Sequence, residues 1–290
     1  MMTSGSFHPV IHASLWMTGT LFSFAAMAVA GRQLSTDLTT FQILFFRSLV
    51  GLAIIGILAI KTGRATLATK NFSLHLARNI AHFGGQFGWF YGIAYISLAE
   101  VFAIEFTLPV WTAVLAVILL KERITRPRVA AICMGLVGML IILRPGMGIM
   151  STASLAVLIG AVCYALSHTL TKKITLTDTP LSILFYMTMI QLPMGLVLSL
   201  NQWQTPGPRL YFWIFLVGIT ALSGHYCMAR ALKVAPATVV VPLDFLRLPL
   251  IAFVGFLFYN EPLDVFVFAG GLIMLTGNFI NIRAEQKTVG

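Results

Sequence analysis

Residues 242 to 250 read PLDFLRLPL, placing Asp244 and Arg247 between Pro242 and Pro249 near the middle of an almost wholly apolar run, Ala235 to Tyr259. A second acid, Glu105, stands four residues before Pro109 in a similar run. A charge at the centre of a bilayer costs at least about 2.5–3.5 kcal/mol, so it normally faces a partner or a watery cavity. A carboxylate there can take and release a proton or hold a cation, and a guanidinium can hold an anion. Asp244 and Arg247, three apart, are expected on one helix face. Each proline withholds an N–H from the carbonyl one turn earlier, leaving a polar group that needs a side chain, water or ligand. The stretch describes an irregular, polar helix surface turned toward the protein interior. The plainer alternative is a static Asp–Arg pair that tunes packing.

The elements that must hold these residues are membrane spans. Hydrophobic residues make up 58% of the 290 and charged residues only 10%, far from the balance of a soluble domain. Apolar runs of about 20 residues, the length that crosses a bilayer, occur at 12–31, 41–60, 74–96, 98–120, 127–144, 151–171, 180–200, 209–232, 235–259 and 263–282. The fold class expected is an all-α integral membrane protein of ten transmembrane helices. Met1 to Ile11 contains no Lys or Arg, so the first run is expected to be a retained span rather than a cleaved leader. With the N-terminus inside, Lys121, Arg123, Arg126 and Arg128 share one inner loop, while the outer loops hold only Arg32, Arg144 and Arg209. That bias puts both termini in the cytoplasm, and in a bacterium the membrane would be the inner one. It also accounts for a net charge of +10 without nucleic acid.

The chain resembles itself. Shifted by 139 residues, Gly85 falls on Gly224, Val101 on Val240, Phe106 on Phe245, Glu122 on Glu261 and Gly138 on Gly277 without a gap, and Glu105 falls on Asp244. Five spans per copy is an odd number, so the second copy enters the membrane from the opposite side, as an inverted repeat. The segments GIAYISLAEVFAIEFTLPVWTAVLAVILLKERI and ARALKVAPATVVVPLDFLRLPLIAFVGFLFYNEPL resemble the two copies of the EamA repeat in the drug/metabolite transporter superfamily. The resemblance spans nearly the whole chain, with repeats expected at 1–145 and 146–290. It implies a secondary transporter with a central cavity lined mainly by spans 1, 3, 4, 6, 8 and 9. It leaves the substrate open, since the family moves diverse metabolites; carriers of S-adenosylmethionine and of riboflavin are the subgroups it most resembles.

Glu105, Asp244 and Arg247 are the expected binding and coupling residues, with the two acids displaced to either side of the midplane. Glu105, with only Thr112 and apolar neighbours along its stripe, is the expected proton carrier, and Asp244 the counter-charge that orients Arg247. Trp16, Tyr91, Tyr164, His168 and Tyr226 are expected around the cavity, where they could stack on a flat ligand. Arg47, in FFRSLVGL, resembles the family's span 2 Arg and is expected to make a fixed ion or hydrogen-bond pair between spans, helix-end carbonyls included. Arg78 and Arg230, at span edges, are expected to snorkel to headgroups. Gly84, Gly88 and Gly92 form a ladder that lets another helix approach closely. Pro109, Pro242 and Pro249 complete the structural set.

Cys133, Cys163 and Cys227 lie far apart without CxxC spacing, so neither a disulfide framework nor a metal site is indicated. No nucleotide-binding loop and no HExxH occur, and no cofactor or obligate protein partner is implied. The partners expected are a small-molecule substrate, lipid and protons. An integral membrane enzyme using Glu105, Asp244 and a His as acid–base groups is the alternative from another class.

Overall fold

A computed structural model describes residues 9–63, 67–120, 125–144, 151–174, 176–234, 243–244 and 246–289. Among these residues every regular element is helical: α1 (Pro9–Leu34), α2 (Thr40–Thr62), α3 (Phe72–Tyr95), α4 (Leu98–Glu105), α5 (Leu108–Leu120), α6 (Arg126–Leu143), α7 (Thr152–Ile174), α8 (Pro180–Ser199), α9 (Pro208–Val234), α10 (Arg247–Tyr259) and α11 (Val265–Val289). Short polar caps punctuate the apolar runs. Thr39 and Gln42 form a reciprocal capping box on α2, Ser97 accepts from the Glu100 N–H at the start of α4, and Thr179 caps α8 ahead of Pro180. Such caps satisfy N–H groups that the first turn leaves free.

Five helices (α1, α2, α7, α8 and α9) are long and apolar enough to cross a membrane by composition alone. The 24-residue α3 falls short on hydropathy because it carries His75, Arg78, Asn79, His82 and Gln86, all buried. Its polar face is covered by other helices, not by lipid. The outer surface instead shows large apolar side chains such as Phe22, Ile159, Phe215 and Phe258, each at least 60% exposed, as a bilayer-facing wall requires.

The two sequence halves interlock. The helix α1 packs mainly on α9, α2 on α8, α3 on α7 and α6 on α11, so each of these principal contacts joins one half to the other. Small residues set the closest approaches. A Cβ on Gly88 would strike the Ala156 carbonyl of α7, while Gly84 and Gly92 face Cys163 and Val157 of the same helix. On the α6–α11 seam, a Cβ on Gly138 would lie 2.6 Å from the Gly270 carbonyl oxygen and Gly277 meets Ala131. Ala131 precedes Gly270 by the same 139 positions that separate Gly138 from Gly277, so the seam repeats itself under the internal symmetry. The Gly85–Tyr164 and Gly224–Phe24 contacts set a glycine against an aromatic ring on each side, with the rings one residue out of that register.

The end of the bundle bearing the α1–α2 turn is tied shut. Arg32 pairs with Glu261 at 3.1 Å and donates to the Ile96 carbonyl, while Glu261 also accepts from the backbone N–H of Leu98 at the start of α4. Asn260, in the left-handed region at φ 53°, ends α10 and turns Glu261 back to that position. Arg144 pairs with Asp264, Arg209 with Asp37, and Ser154 donates to Glu100. Beneath these contacts Leu98 and Val101 to Ile104 are fully buried. The opposite end carries the His75–Asp178 pair at 2.8 Å and an Asn71–Thr177 bond. Burial there pushes the Asp178 carboxyl up, but hydrogen bonds from Thr69, His75 and Thr177 outweigh it and hold the group below the usual carboxylate value.

Candidate functional site

The expected fourth span is two helices, not one. The helix α4 ends at Glu105, α5 begins at Leu108, and Pro109 stands in the first turn of α5, where a missing N–H costs nothing within the helix. That N–H would otherwise have served the carbonyl of Glu105. The ninth span breaks at the matching place, since α10 begins at Arg247, 139 positions after Leu108. Asp244 lies in a short helical stretch ahead of α10 and reaches Arg247, three residues on, as their spacing implied, while Pro249 sits in the first turn of α10. Pro242 lies outside the described residues.

The two breaks bring the charged residues together. Arg247 Nη2 donates to Asp244 Oδ2 at 2.6 Å and Nη1 lies 3.7 Å from Glu105 Oε1, while Trp89 Nε1 donates to Glu105 Oε2 at 2.9 Å. The expectation that Glu105 lacks a basic neighbour does not hold. One guanidinium serves both carboxylates, because α10, which starts at Arg247, packs on α4, which ends at Glu105. A forked, permanently charged group can meet two carboxylates at once. Arg247 is 6% exposed and enclosed by the rings of Phe24, Phe102 and Phe106, with its carbon 5.1–5.5 Å from their centroids. The trio carries a formal charge of −1.

A cavity of ≈280 Å³ opens beside it, near the lower end for small-molecule sites. Its polar wall consists of this trio with Arg47, Gln86, Trp89, Tyr164, His168 and His225. Its apolar wall includes Phe24, Met27, Phe90, Phe106 and Met228. The contributing elements are the expected spans 1, 3, 4, 6, 8 and 9, with one addition: Arg47 comes from span 2. The rings of His82 and Tyr164 lie 5.4 Å apart and those of His82 and His225 6.1 Å apart. Behind Gln86, a buried chain of amides joins it through His82 and Gln191 to Asn79.

Several candidate residues lie elsewhere. Tyr91 stacks with Phe87 and Tyr95 along α3 and is not part of the cavity wall. Its neighbour Trp89, on the opposite face, is. Trp16 and Tyr226 meet edge to face at 6.0 Å beneath the Arg230 guanidinium, outside the cavity, and Tyr226 is half-exposed. Arg78 does not snorkel: it is 7% exposed and donates to Thr171 and Asn79. Arg47 makes no ion pair among the described residues, contrary to the fixed pair expected of it. Gln86 and His225 complete the wall, and the only sequence signal for Gln86 is a polar residue on the face that also carries His82 and Trp89.

Known proteins match this chain along nearly its whole length. The model of the EamA-like transporter family matches residues 12–144 and again 151–283. The S-adenosylmethionine uptake transporter of Rickettsia bellii is 26% identical over 274 residues, 94% of each chain. The riboflavin transporter of Vibrio cholerae is 29% identical over 293 residues, covering 97% of this chain and 96% of its own. A crystal structure at 13% sequence identity superposes with a TM-score of 0.66 over 96% of this chain and 99% of its own, a likeness of fold alone.

Proposed function

The chain belongs to the EamA-like transporter family, and from that premise we propose that it is a secondary active transporter. It carries a small organic metabolite, amphipathic or zwitterionic, across the inner membrane by alternating access, with both termini in the cytoplasm. S-adenosylmethionine, riboflavin and amino acid-like compounds are the classes in view, the first two because relatives are named for them. The observation that carries this reading is the cavity at two matched helix breaks, lined by Glu105, Asp244 and Arg247. Interrupted helices at the interface of inverted repeats are where such transporters place substrate and coupling ions.

Coupling to protons, or exchange, is assigned to Glu105. Its contact to Arg247 is long, at 3.7 Å, whereas Asp244 holds the same guanidinium at 2.6 Å. Protonating Glu105 thus sacrifices the weaker contact and leaves Asp244 to keep Arg247 in place. The two repeats are assigned to 1–145 and 146–290, and because their helices pair across the halves the moving units are bundles drawn from both. In proteoliposomes with an imposed pH gradient, Glu105→Gln should lose concentrative uptake and keep substrate exchange, while Asp244→Asn should impair binding itself. Gradient-driven accumulation by Glu105→Gln would remove Glu105 from the coupling role.

A further inference from the structure

We infer that Arg47 is the anion receptor of the cavity, and that the transported metabolite is an organic zwitterion whose carboxylate or phosphate docks there while its cationic group meets Glu105 and Asp244. The inference rests on the transport reading above and names the substrate chemistry of that same site.

Arg47 borders the cavity, is 4% exposed, and has a buried Nε with no hydrogen-bond partner. It forms no ion pair or side-chain hydrogen bond among the described residues. The other buried cations are committed: Arg247 to two acids and Arg78 to Thr171 and Asn79. The acids at the two ends of the bundle are committed as well, to Arg32, Arg144, Arg209, His75 and Ser154. Burying an ion without a partner costs several kcal/mol, and no ion pair or side-chain hydrogen bond among the described residues offsets that cost at Arg47. A cation held in this condition at a cavity wall is matched to a partner that arrives and leaves.

The wall around it suits an oxyanion. A guanidinium presents a planar fork that fits carboxylate or phosphate oxygens two at a time, and the Tyr164 hydroxyl on the same cavity wall brings a neutral donor. The opposite charge balance prevails at the trio, where two carboxylates share one guanidinium. A ligand with separated charges therefore satisfies both walls. Arg247, although charged, is not the anion receptor, because its fork is already occupied.

The test uses the purified full chain in nanodiscs, with Arg47→Met as an uncharged chain of similar length and Arg47→Lys as a conservative control. Millimolar sodium phosphate or acetate, against sodium chloride at equal ionic strength, should raise the melting temperature of the wild type, raise that of Arg47→Lys less, and leave that of Arg47→Met unchanged. Without added anion, Arg47→Met should melt no lower than the wild type, since it removes an unpaired buried charge. In binding titrations, S-adenosylmethionine should be preferred over decarboxylated S-adenosylmethionine, which keeps both cationic groups and lacks only the carboxylate, by roughly 10- to 100-fold, the worth of one charge-assisted pair. Arg47→Met should abolish that preference. Absence of the anion effect in the wild type, its persistence in Arg47→Met, or a melting point several degrees lower in that variant would make Arg47 a structural cation and overturn the inference. If the anion effect follows Arg47 but neither nucleoside binds nor is transported, the anion site stands and the substrate classes proposed above fall instead.

Discussion

Residue types alone pointed to Asp244, Arg247 and Glu105, because charges within apolar runs are costly and few. Their partnership was not legible, since residues 105 and 247 are distant in sequence and hydropathy says nothing of which break faces which. The same limit misplaced Arg47, where sequence required a partner for a buried cation and could not say that none is built in. Arg247 now carries a sharper expectation. Arg247→Ala would leave two carboxylates together without their shared cation, a loss of about 3–5 kcal/mol by the usual worth of a broken buried pair. Combining Arg247→Leu with Glu105→Gln and Asp244→Asn should recover most of that stability while transport stays lost. Thermal unfolding of the single and triple variants, measured beside substrate uptake, separates the two effects. A triple variant as unstable as the single one would mean that Arg247 acts through packing against Phe24, Phe102 and Phe106, not through charge.

At the scale of elements, the prolines marked where spans 4 and 9 depart from regular helix, and the structure turns those marks into helix starts at Leu108 and Arg247. The glycines of α3 are equally readable as sites of close approach, but their partner is not: an apolar helix offers similar faces all round, and only the fold names α7. Gly88 is the tightest point of that contact, since any side chain there meets the Ala156 backbone, which cannot rotate away. Gly88→Leu should therefore destabilise the protein by about 1–3 kcal/mol or more. Gly56, which has open space around it, is the control position, and Gly56→Leu should melt near the wild type. Equal melting points for the two variants would show that α3 and α7 can separate at no cost.

For the whole molecule, ten spans and their internal repeat follow from hydropathy and self-similarity, while the interlocking of the halves does not, because self-similarity reports ancestry and not contact. Interlocking also explains how one end can be shut. Glu261 joins Arg32 of α1 to the first turn of α4, so it holds both halves together over the cavity. Under the proposed topology that end faces outward. Glu261→Gln should then weaken the closed state by about 1–2 kcal/mol, roughly 5- to 30-fold in population. A cysteine at Phe106, in a chain whose Cys133, Cys163 and Cys227 are replaced by Ala, should react faster with an impermeant thiol reagent applied from outside when Glu261→Gln is present. An unchanged rate would remove the Arg32–Glu261 contact from gating.

The pairing of helices also sets an order of assembly. Three pairs nest like brackets in the chain, α3 waiting for α7, α2 for α8 and α1 for α9, while the α6–α11 pair crosses them and forms only when synthesis is nearly complete. Throughout the interval before α7 and α8 emerge, the face of α3 that carries Arg78, Asn79 and His82 lacks the partners that satisfy it and is too polar to be left to lipid. The polar face of α3 is therefore completed only when α7 supplies Thr171 and α8 supplies Gln191, so the first half of the chain cannot reach its final packing before residues 152 to 199 are made.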